Sequence, residues 1–226
     1  MQRSAILFGA IGTLAETSEL QRRAFNLAFR TFDLDWVWEP AAYYKMLRAP
    51  GGRARVQAYA DRTGDHVDAD AVHALKEEIF EMLLAASPPG PRAGVADLIE
   101  ACRAERIPVA FCSTTSRRQV EATVSGLTPG VSPADFAWVG DRTSVTAGKP
   151  APDIYLKALS ALDADGKTAL VIEDTPESAE AALGAGLDVI GFPGRAARGR
   201  AFPQGVPVTD WLDPRLLRGS LGLAAE

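Results

Sequence analysis

The chain has 226 residues, 47% of them hydrophobic, and a formal net charge of −5. This length and composition suit a core domain that carries one insertion and buries a sizeable apolar core. The acidic balance, without a basic stripe interleaved with aromatic residues, argues against binding to nucleic acid or to an anionic membrane. No apolar stretch has the length of a membrane span, and the N-terminus lacks a signal-peptide pattern. We therefore expect a cytoplasmic protein, and a monomer.

The first predicted strand is the short apolar run at residues 5–8, which glycines at positions 9 and 12 follow directly. Such punctuation is typical of a buried strand that enters a loop. In open α/β sheets, the loops at the carboxyl ends of the strands hold ligands. This loop is therefore a candidate part of a binding site.

A helical segment follows, in which apolar residues recur at helical spacing from Glu19 to about Ala86. A proline-rich stretch at residues 87–91 then returns the chain to a second pattern, where strands alternate with helices as in a parallel sheet. The sequence thus predicts a core domain of residues 1–14 and 88–226, with residues 15–87 inserted as a helical cap.

The second strand of the core, at residues 107–113, ends in a cluster of hydroxyl side chains that includes Ser113 and Thr114. A helical pattern begins near Arg117. Hydroxyl groups and free backbone N–H groups at the start of a helix can receive an anion. The end of this strand is a second candidate part of the site.

Two further motifs carry charge. Lys149 lies in a proline-stiffened turn before a helix that runs to about Leu162, and a fixed cation suits a phosphoryl group. The apolar strand at residues 169–172 delivers Glu173 and Asp174 to its carboxyl end, where paired carboxylates suit a hard divalent cation. The alternative is that these two acids cap the following helix.

The four motifs, in this order, resemble those of the haloacid dehalogenase superfamily over nearly the whole chain. Within it, residues 12–17 and 149–155 look most like the capped sugar-phosphate phosphatases and mutases, such as phosphoglycolate phosphatase, β-phosphoglucomutase and xylulose-bisphosphate phosphatase. The resemblance implies an α/β fold with a Rossmannoid core, a parallel sheet and an inserted helical cap. It also implies that a phosphorylated small molecule binds at Gly12, Thr13, Ser113, Thr114 and Lys149.

The first motif departs from this family at two positions. One family aspartate attacks phosphorus, and a second aspartate, two residues later, protonates the leaving group and then activates water. Here the two positions hold Gly9 and Ile11, which can form no acyl-phosphate and transfer no proton. The family's Mg²⁺ also loses a side-chain ligand, so only the Ile11 carbonyl and Asp174, with Glu173 beside it, remain to hold a weakened Mg²⁺ site.

The same losses make the expected pocket less repulsive to anions, because two negative charges are gone while Lys149 stays. At about 4 Å and an effective dielectric constant of about 20, each repulsion amounts to roughly 4 kcal/mol before screening. We therefore expect phosphate to bind without a metal.

The cap offers further candidate ligand contacts. Residues 49–53 are similar to the glycine pair and basic residue of the xylulose-bisphosphate type, so Arg53, and Arg55 beside it, could hold a second phosphate. A solvated arginine at the start of a helix is the alternative. Glu16 is a third candidate, as a carboxylate near the substrate.

Three functions are compatible with these observations. The first, which we favour, is a non-catalytic family member, a pseudoenzyme that binds a phosphorylated metabolite as a sensor or regulator. The second is a hydrolase with altered chemistry, in which water positioned by Glu173, Asp174 or Glu16 attacks directly. The third is a structural or protein-interaction module that keeps only the fold.

Overall fold

The computed structural model describes residues 2–9, 11–49, 51–128 and 130–219, and the strands in these ranges form a five-stranded sheet. In chain order the strands are β1 (Ile6–Phe8), β2 (Val109–Cys112), β3 (Trp138–Gly140), β4 (Leu170–Glu173) and β5 (Asp188–Gly191). Their order across the sheet is β3-β2-β1-β4-β5, and every neighbouring pair is parallel. The predicted α/β core with a parallel sheet is confirmed.

The α-helices divide between the segment after β1 and the segments between later strands. In chain order they are α1 (Ile11–Leu14), α2 (Ser18–Thr31), α3 (Pro40–Met46), α4 (Gly52–Thr63), α5 (Ala69–Ala86), α6 (Val95–Glu105), α7 (Arg117–Ser125), α8 (Asp153–Leu162) and α9 (Pro176–Gly184). In the described ranges, no helix combines the length and apolar character that a bilayer crossing requires.

The sheet is buried on both faces because its side chains alternate between two hydrophobic layers. Ile6 and Phe8 of β1 pack in one cluster with residues of α6 and α7. Leu7, between them, packs in the other cluster with residues of α8 and α9. This two-sided burial explains why the strands read as continuous apolar runs in the sequence.

Chain packing separates two units, one of described residues within Met1–Glu16 and Pro89–Glu226 and the other Thr17–Pro88. Ala15 and Glu16, which the sequence assigned to the cap, belong to the first unit, and Pro88 belongs to the second. Ala15 does so because it is buried in the same hydrophobic cluster as Phe8.

The second unit is helical and has its own aromatic core. Phe25, Phe29, Trp36, Trp38 and Tyr43 are all buried there, with ring centroids of neighbouring pairs 4.7–6.0 Å apart. Packing at these separations stabilises the unit through burial and edge or offset ring contacts. The tryptophans and Tyr43 thus serve as core residues of this unit.

Candidate functional site

Strand register brings Gly9 beside Glu173 at the carboxyl end of the sheet. Phe8 pairs with Ile172, and the Gly9 N–H donates to the Ile172 carbonyl at 3.0 Å. Side chains at paired positions of neighbouring strands point to the same face of a sheet. Position 9 has no side chain, and Glu173 fills the space: a Cβ on Gly9 would lie 1.7 Å from Glu173 Oε1.

The Glu173 carboxylate is fully buried and held by two donors. Lys149 Nζ lies 2.6 Å from Oε1, and the Tyr155 hydroxyl donates to the same oxygen. Burial, followed by the charge of Glu173, raises the pKa of Tyr155 well above its ordinary value, so the phenol stays a donor. Although positions 9 and 11 carry no carboxylate, Lys149 has a negative neighbour in Glu173.

Asp174, next to Glu173, approaches the backbone of the first motif. A Cβ on Gly12 would lie 1.9 Å from Asp174 Oδ2, so the glycine at this position makes room for the carboxylate. Burial, and then the charge of Glu173, raise the pKa of Asp174 to about 7. Burial therefore favours the protonated form of this carboxyl more than water would.

The two carboxylates offer partial coordination for Mg²⁺. Among the described residues, Glu173 Oε2 and Asp174 Oδ1 are buried oxygens without a hydrogen-bond partner. Mg²⁺ commonly relies on one or two carboxylates, with water and phosphate completing its shell. The described ranges contain no group of three or more His, Cys, Asp or Glu side chains that could hold a metal. The donor set therefore fits a weakly held Mg²⁺.

Ile11 belongs to the hydrophobic core. It lies at the start of α1, is 7% exposed, and packs in the cluster that contains Phe8 and Leu14. Burial of such a side chain stabilises a fold by about 1.5–3 kcal/mol. Residue 11 thus stabilises the protein through its burial in this core.

The hydroxyl residues at the end of β2 bond to each other. Ser113 is buried, its hydroxyl shares a hydrogen bond with that of Thr115 at 2.9 Å, and it accepts from the Thr115 N–H at 3.2 Å. Thr114 lies beside the turn that carries Lys149: a Cβ placed on Gly148 would be 3.7 Å from the Cβ of Thr114. Thr13 is fully buried. Because β2 and β4 run parallel on either side of β1, Ser113 and Thr114 follow β2 at the same carboxyl end of the sheet as Glu173.

Arg92 is a structural residue at this carboxyl end of the sheet, and the sequence did not predict its role. Its guanidinium donates to the carbonyls of Gly12, Phe192 and Pro193 at 2.6–2.9 Å and lies 3.5 Å from the centroid of the Phe192 ring. It thereby ties the first motif to the loop after β5. Nothing in the sequence marks Arg92 beyond its place directly after the proline-rich stretch at residues 87–91, since its partners are distant along the chain.

Tyr155 was also missed, although it belongs to the quoted lysine motif. It lies on α8, in the cluster on the face of the sheet toward which Glu173 points. The detectable signal was a tyrosine in the first turns of the helix after the lysine turn. Only the tertiary contact shows that its hydroxyl serves the fourth motif.

Glu16, a candidate substrate contact, bonds within the first unit. Its Oε1 accepts from the Arg195 N–H at 2.9 Å and lies 3.7 Å from Arg92 Nε. The side chain therefore helps to hold the loop after β5.

The two arginine candidates of the second unit have local partners. Arg53 pairs with Asp70 through two N–O contacts of 2.9 and 3.0 Å, and both side chains are more than half exposed. Arg55 donates to the backbone carbonyls of Met46 and Ala49 at 3.2 and 2.9 Å. The structure thus places Arg53 on the surface and uses Arg55 to secure the segment after α3.

Comparison with known proteins agrees with this architecture. The family model of haloacid dehalogenase-like hydrolases matches residues 4–186. Protein CbbY of Rhodobacter capsulatus is 33% identical over 220 residues, which cover 96% of this chain and 95% of CbbY. The crystal structure of CbbY from Rhodobacter sphaeroides in complex with phosphate has 34% identity and a TM-score of 0.83, covering 92% of this chain and 94% of CbbY. A mutant of that CbbY in complex with xylulose-(1,5)bisphosphate has the same identity and coverage and a TM-score of 0.82.

Proposed function

We propose that this chain, which belongs to the haloacid dehalogenase-like hydrolase family, binds a phosphorylated metabolite without hydrolysing it. The observation that carries this proposal is the position of Glu173 Oε1, 1.7 Å from where a Cβ of residue 9 would lie. A buried, ion-paired carboxylate from another strand therefore fills the space that a side chain on residue 9 would need. Gly9 supplies no nucleophile, and Ile11 supplies no proton.

Glu173 is a poor substitute for the missing nucleophile. Glu173 Oε1 lies 1.7 Å from the position that a Cβ of residue 9 would take. The carboxylate oxygens of an aspartate at residue 9 would lie farther than that from the same Cβ. Lys149 and Tyr155 both donate to that oxygen, which withdraws its lone pairs from attack. A nucleophile must also reach its substrate, and the Glu173 side chain is fully buried.

The proposed ligand is a sugar phosphate or bisphosphate. Support comes from the similarity to CbbY, whose crystal structures hold phosphate or xylulose-(1,5)bisphosphate. In this chain Ser113, Thr114 and Lys149 would contact the phosphoryl group. Mg²⁺ would be held by Glu173 and Asp174, and when bound it would supply positive charge to the phosphoryl oxygens.

The test is calorimetric titration with a panel of sugar phosphates and bisphosphates in Mg²⁺, run beside an assay for phosphate release. We expect binding without release. Lys149→Gln should abolish the binding, while Lys157→Gln, which changes an exposed lysine of α8, should leave it intact. Steady release by the natural protein would overturn the proposal.

A gain-of-function variant extends the test. The double variant Gly9→Asp, Ile11→Asp restores both family carboxylates, so release by this variant alone would identify the class of ligand. Because Ile11 packs in the core, its replacement carries a stability cost. The single variant Gly9→Asp should therefore be assayed in parallel, with its unfolding midpoint measured.

A second function is direct hydrolysis by an activated water. Asp174 Oδ1 is a buried oxygen without a hydrogen-bond partner among the described residues, and burial raises the pKa of this carboxyl to about 7, which suits a general base. This function predicts phosphate release by the natural protein that Asp174→Asn abolishes. A chain that binds no phosphorylated compound and releases no phosphate would instead be an interaction module.

A further inference from the structure

Lys149, the cation proposed to receive the phosphoryl group, already holds an anion from its own chain. We propose that Glu173 determines whether the site accepts a ligand, because its carboxylate competes with the phosphoryl group for Lys149 and must leave before that group can bind. This inference rests on the proposed function, which it deepens: it names the residue that limits affinity and the contact that the ligand must replace.

The competition is a property of this chain's own first motif. The Glu173 side chain can adopt its position only because residue 9 lacks a Cβ, which would lie 1.7 Å from Oε1 and 2.4 Å from Oε2. Non-bonded heavy atoms do not approach so closely. A side chain at position 9 would thus keep Glu173 out of this space, whereas glycine lets the carboxylate reach Lys149.

The anchoring of Glu173 is one-sided, which makes it displaceable. Lys149 and Tyr155 both donate to Oε1, whereas Oε2 is buried without a hydrogen-bond partner in the described part of the chain. A buried unpaired carboxylate oxygen raises the free energy of the resting arrangement. Rotation of the side chain away from Lys149 would therefore let water hydrate this unsatisfied oxygen.

Electrostatics set the direction of the effect. A phosphoryl group that approaches Lys149 meets a cation whose charge is compensated and a carboxylate that repels it. The carboxylate is also tethered beside the lysine, so its effective concentration far exceeds that of a free ligand. Removing the negative charge of Glu173 while keeping its shape should consequently strengthen anion binding.

The experiment is calorimetric titration of inorganic phosphate in EDTA-containing buffer, which isolates anion binding from metal binding. Glu173→Gln should bind phosphate about tenfold more tightly, or better, than the natural protein. Glu180→Gln changes the net charge equally at an exposed position of α9 and should bind phosphate like the natural protein. Tyr155→Phe removes one donor to Glu173, so we expect a smaller gain in the same direction.

Unchanged or weaker phosphate binding by folded Glu173→Gln would overturn the inference. If that variant does not unfold cooperatively, Tyr155→Phe decides: affinity no higher than that of the natural protein overturns the inference. The proposed function fails by a different result, the absence of binding to any sugar phosphate by the natural protein in Mg²⁺. The two failures are distinguishable, since one is read between variants in phosphate and the other from the natural protein alone.

Discussion

Lys149 Nζ lies 2.6 Å from Glu173 Oε1, and the two side chains are 10% and 0% exposed. The pair joins the turn before α8 to the end of β4, and its carboxylate fills the space that a side chain on Gly9 would need. The effect of each charge on stability depends on the other charge, because removal of one partner leaves the other buried without compensation.

This dependence predicts a non-additive effect on stability. Lys149→Met should lower the free energy of unfolding by about 3 kcal/mol or more, because it leaves Glu173 buried and unpaired. Combining Lys149→Met with Glu173→Gln should recover much of that loss, since no unpaired charge remains. Urea denaturation of the natural protein, both single variants and the double variant measures the coupling. A loss in the double variant that equals the sum of the two single-variant losses would show that the pair contributes no interaction energy.

Gly9→Asp should change the response to Mg²⁺. Glu173 must move to admit the new side chain, which then adds a third carboxylate beside Glu173 and Asp174. We expect a lower unfolding midpoint without metal and a Kd for Mg²⁺ about tenfold lower than that of the natural protein.

Calorimetric Mg²⁺ titration checks this expectation. Gly184→Asp is the matched control, because it adds the same group at the exposed end of α9, where nothing lies within 4 Å of a Cβ. The control should leave the Kd unchanged. A Gly9→Asp variant that binds Mg²⁺ no more tightly than this control contradicts the assigned metal ligands.

Arg92→Lys should destabilise the first unit although it keeps the charge. An ammonium cannot reproduce the fork that donates to three carbonyls and covers the Phe192 ring. We expect a loss of about 2–3 kcal/mol in the free energy of unfolding. Arg218→Lys is the control, since the Arg218 side chain is 74% exposed and pairs with Glu105, which is itself 28% exposed. Similar losses for the two variants would refute the special role of Arg92.

Lys76 should make stability depend on pH. It is buried on α5, with its Nζ 5.0 Å from the centroid of the Phe25 ring and 5.2 Å from that of Phe80, and burial lowers its pKa from 10.5 to about 7. The unfolded chain then binds more protons than the folded chain between about pH 7 and about pH 10.5, so the free energy of unfolding rises with pH across that window. Below about pH 7 the buried Lys76 is charged in the folded state as well, and the free-energy penalty for burying that charge is then complete.

Lys76→Met removes this penalty and should raise stability near neutral pH by about 2 kcal/mol, with little gain at about pH 10. Urea denaturation at several pH values checks both the gain and the loss of slope. Lys45→Met, at an exposed position of α3, should keep the pH dependence of the natural protein. An unchanged slope in Lys76→Met would mean that Lys76 stays fully protonated in the folded state across this range.

Much of the fold was accessible from patterns local to the chain. The helix that starts at Arg117 and the one that ends at Leu162 agree with their predicted bounds. Apolar runs marked the buried strands, because parallel strands covered on both faces carry little polar alternation. The end of β4 differs by one residue: Glu173 is part of the strand, since its backbone continues the pairing with β5.

The sequence by itself determined the family, the parallel α/β core and the absence of carboxylates at positions 9 and 11, because each is written in residue identity or short-range periodicity. Only the tertiary structure decided what replaced them. The partners Gly9, Lys149, Tyr155 and Glu173 come from separate segments, which strand register and helix packing bring together. A missing side chain leaves a space, and whether water, a ligand or another side chain fills it depends on neighbours that are distant along the chain.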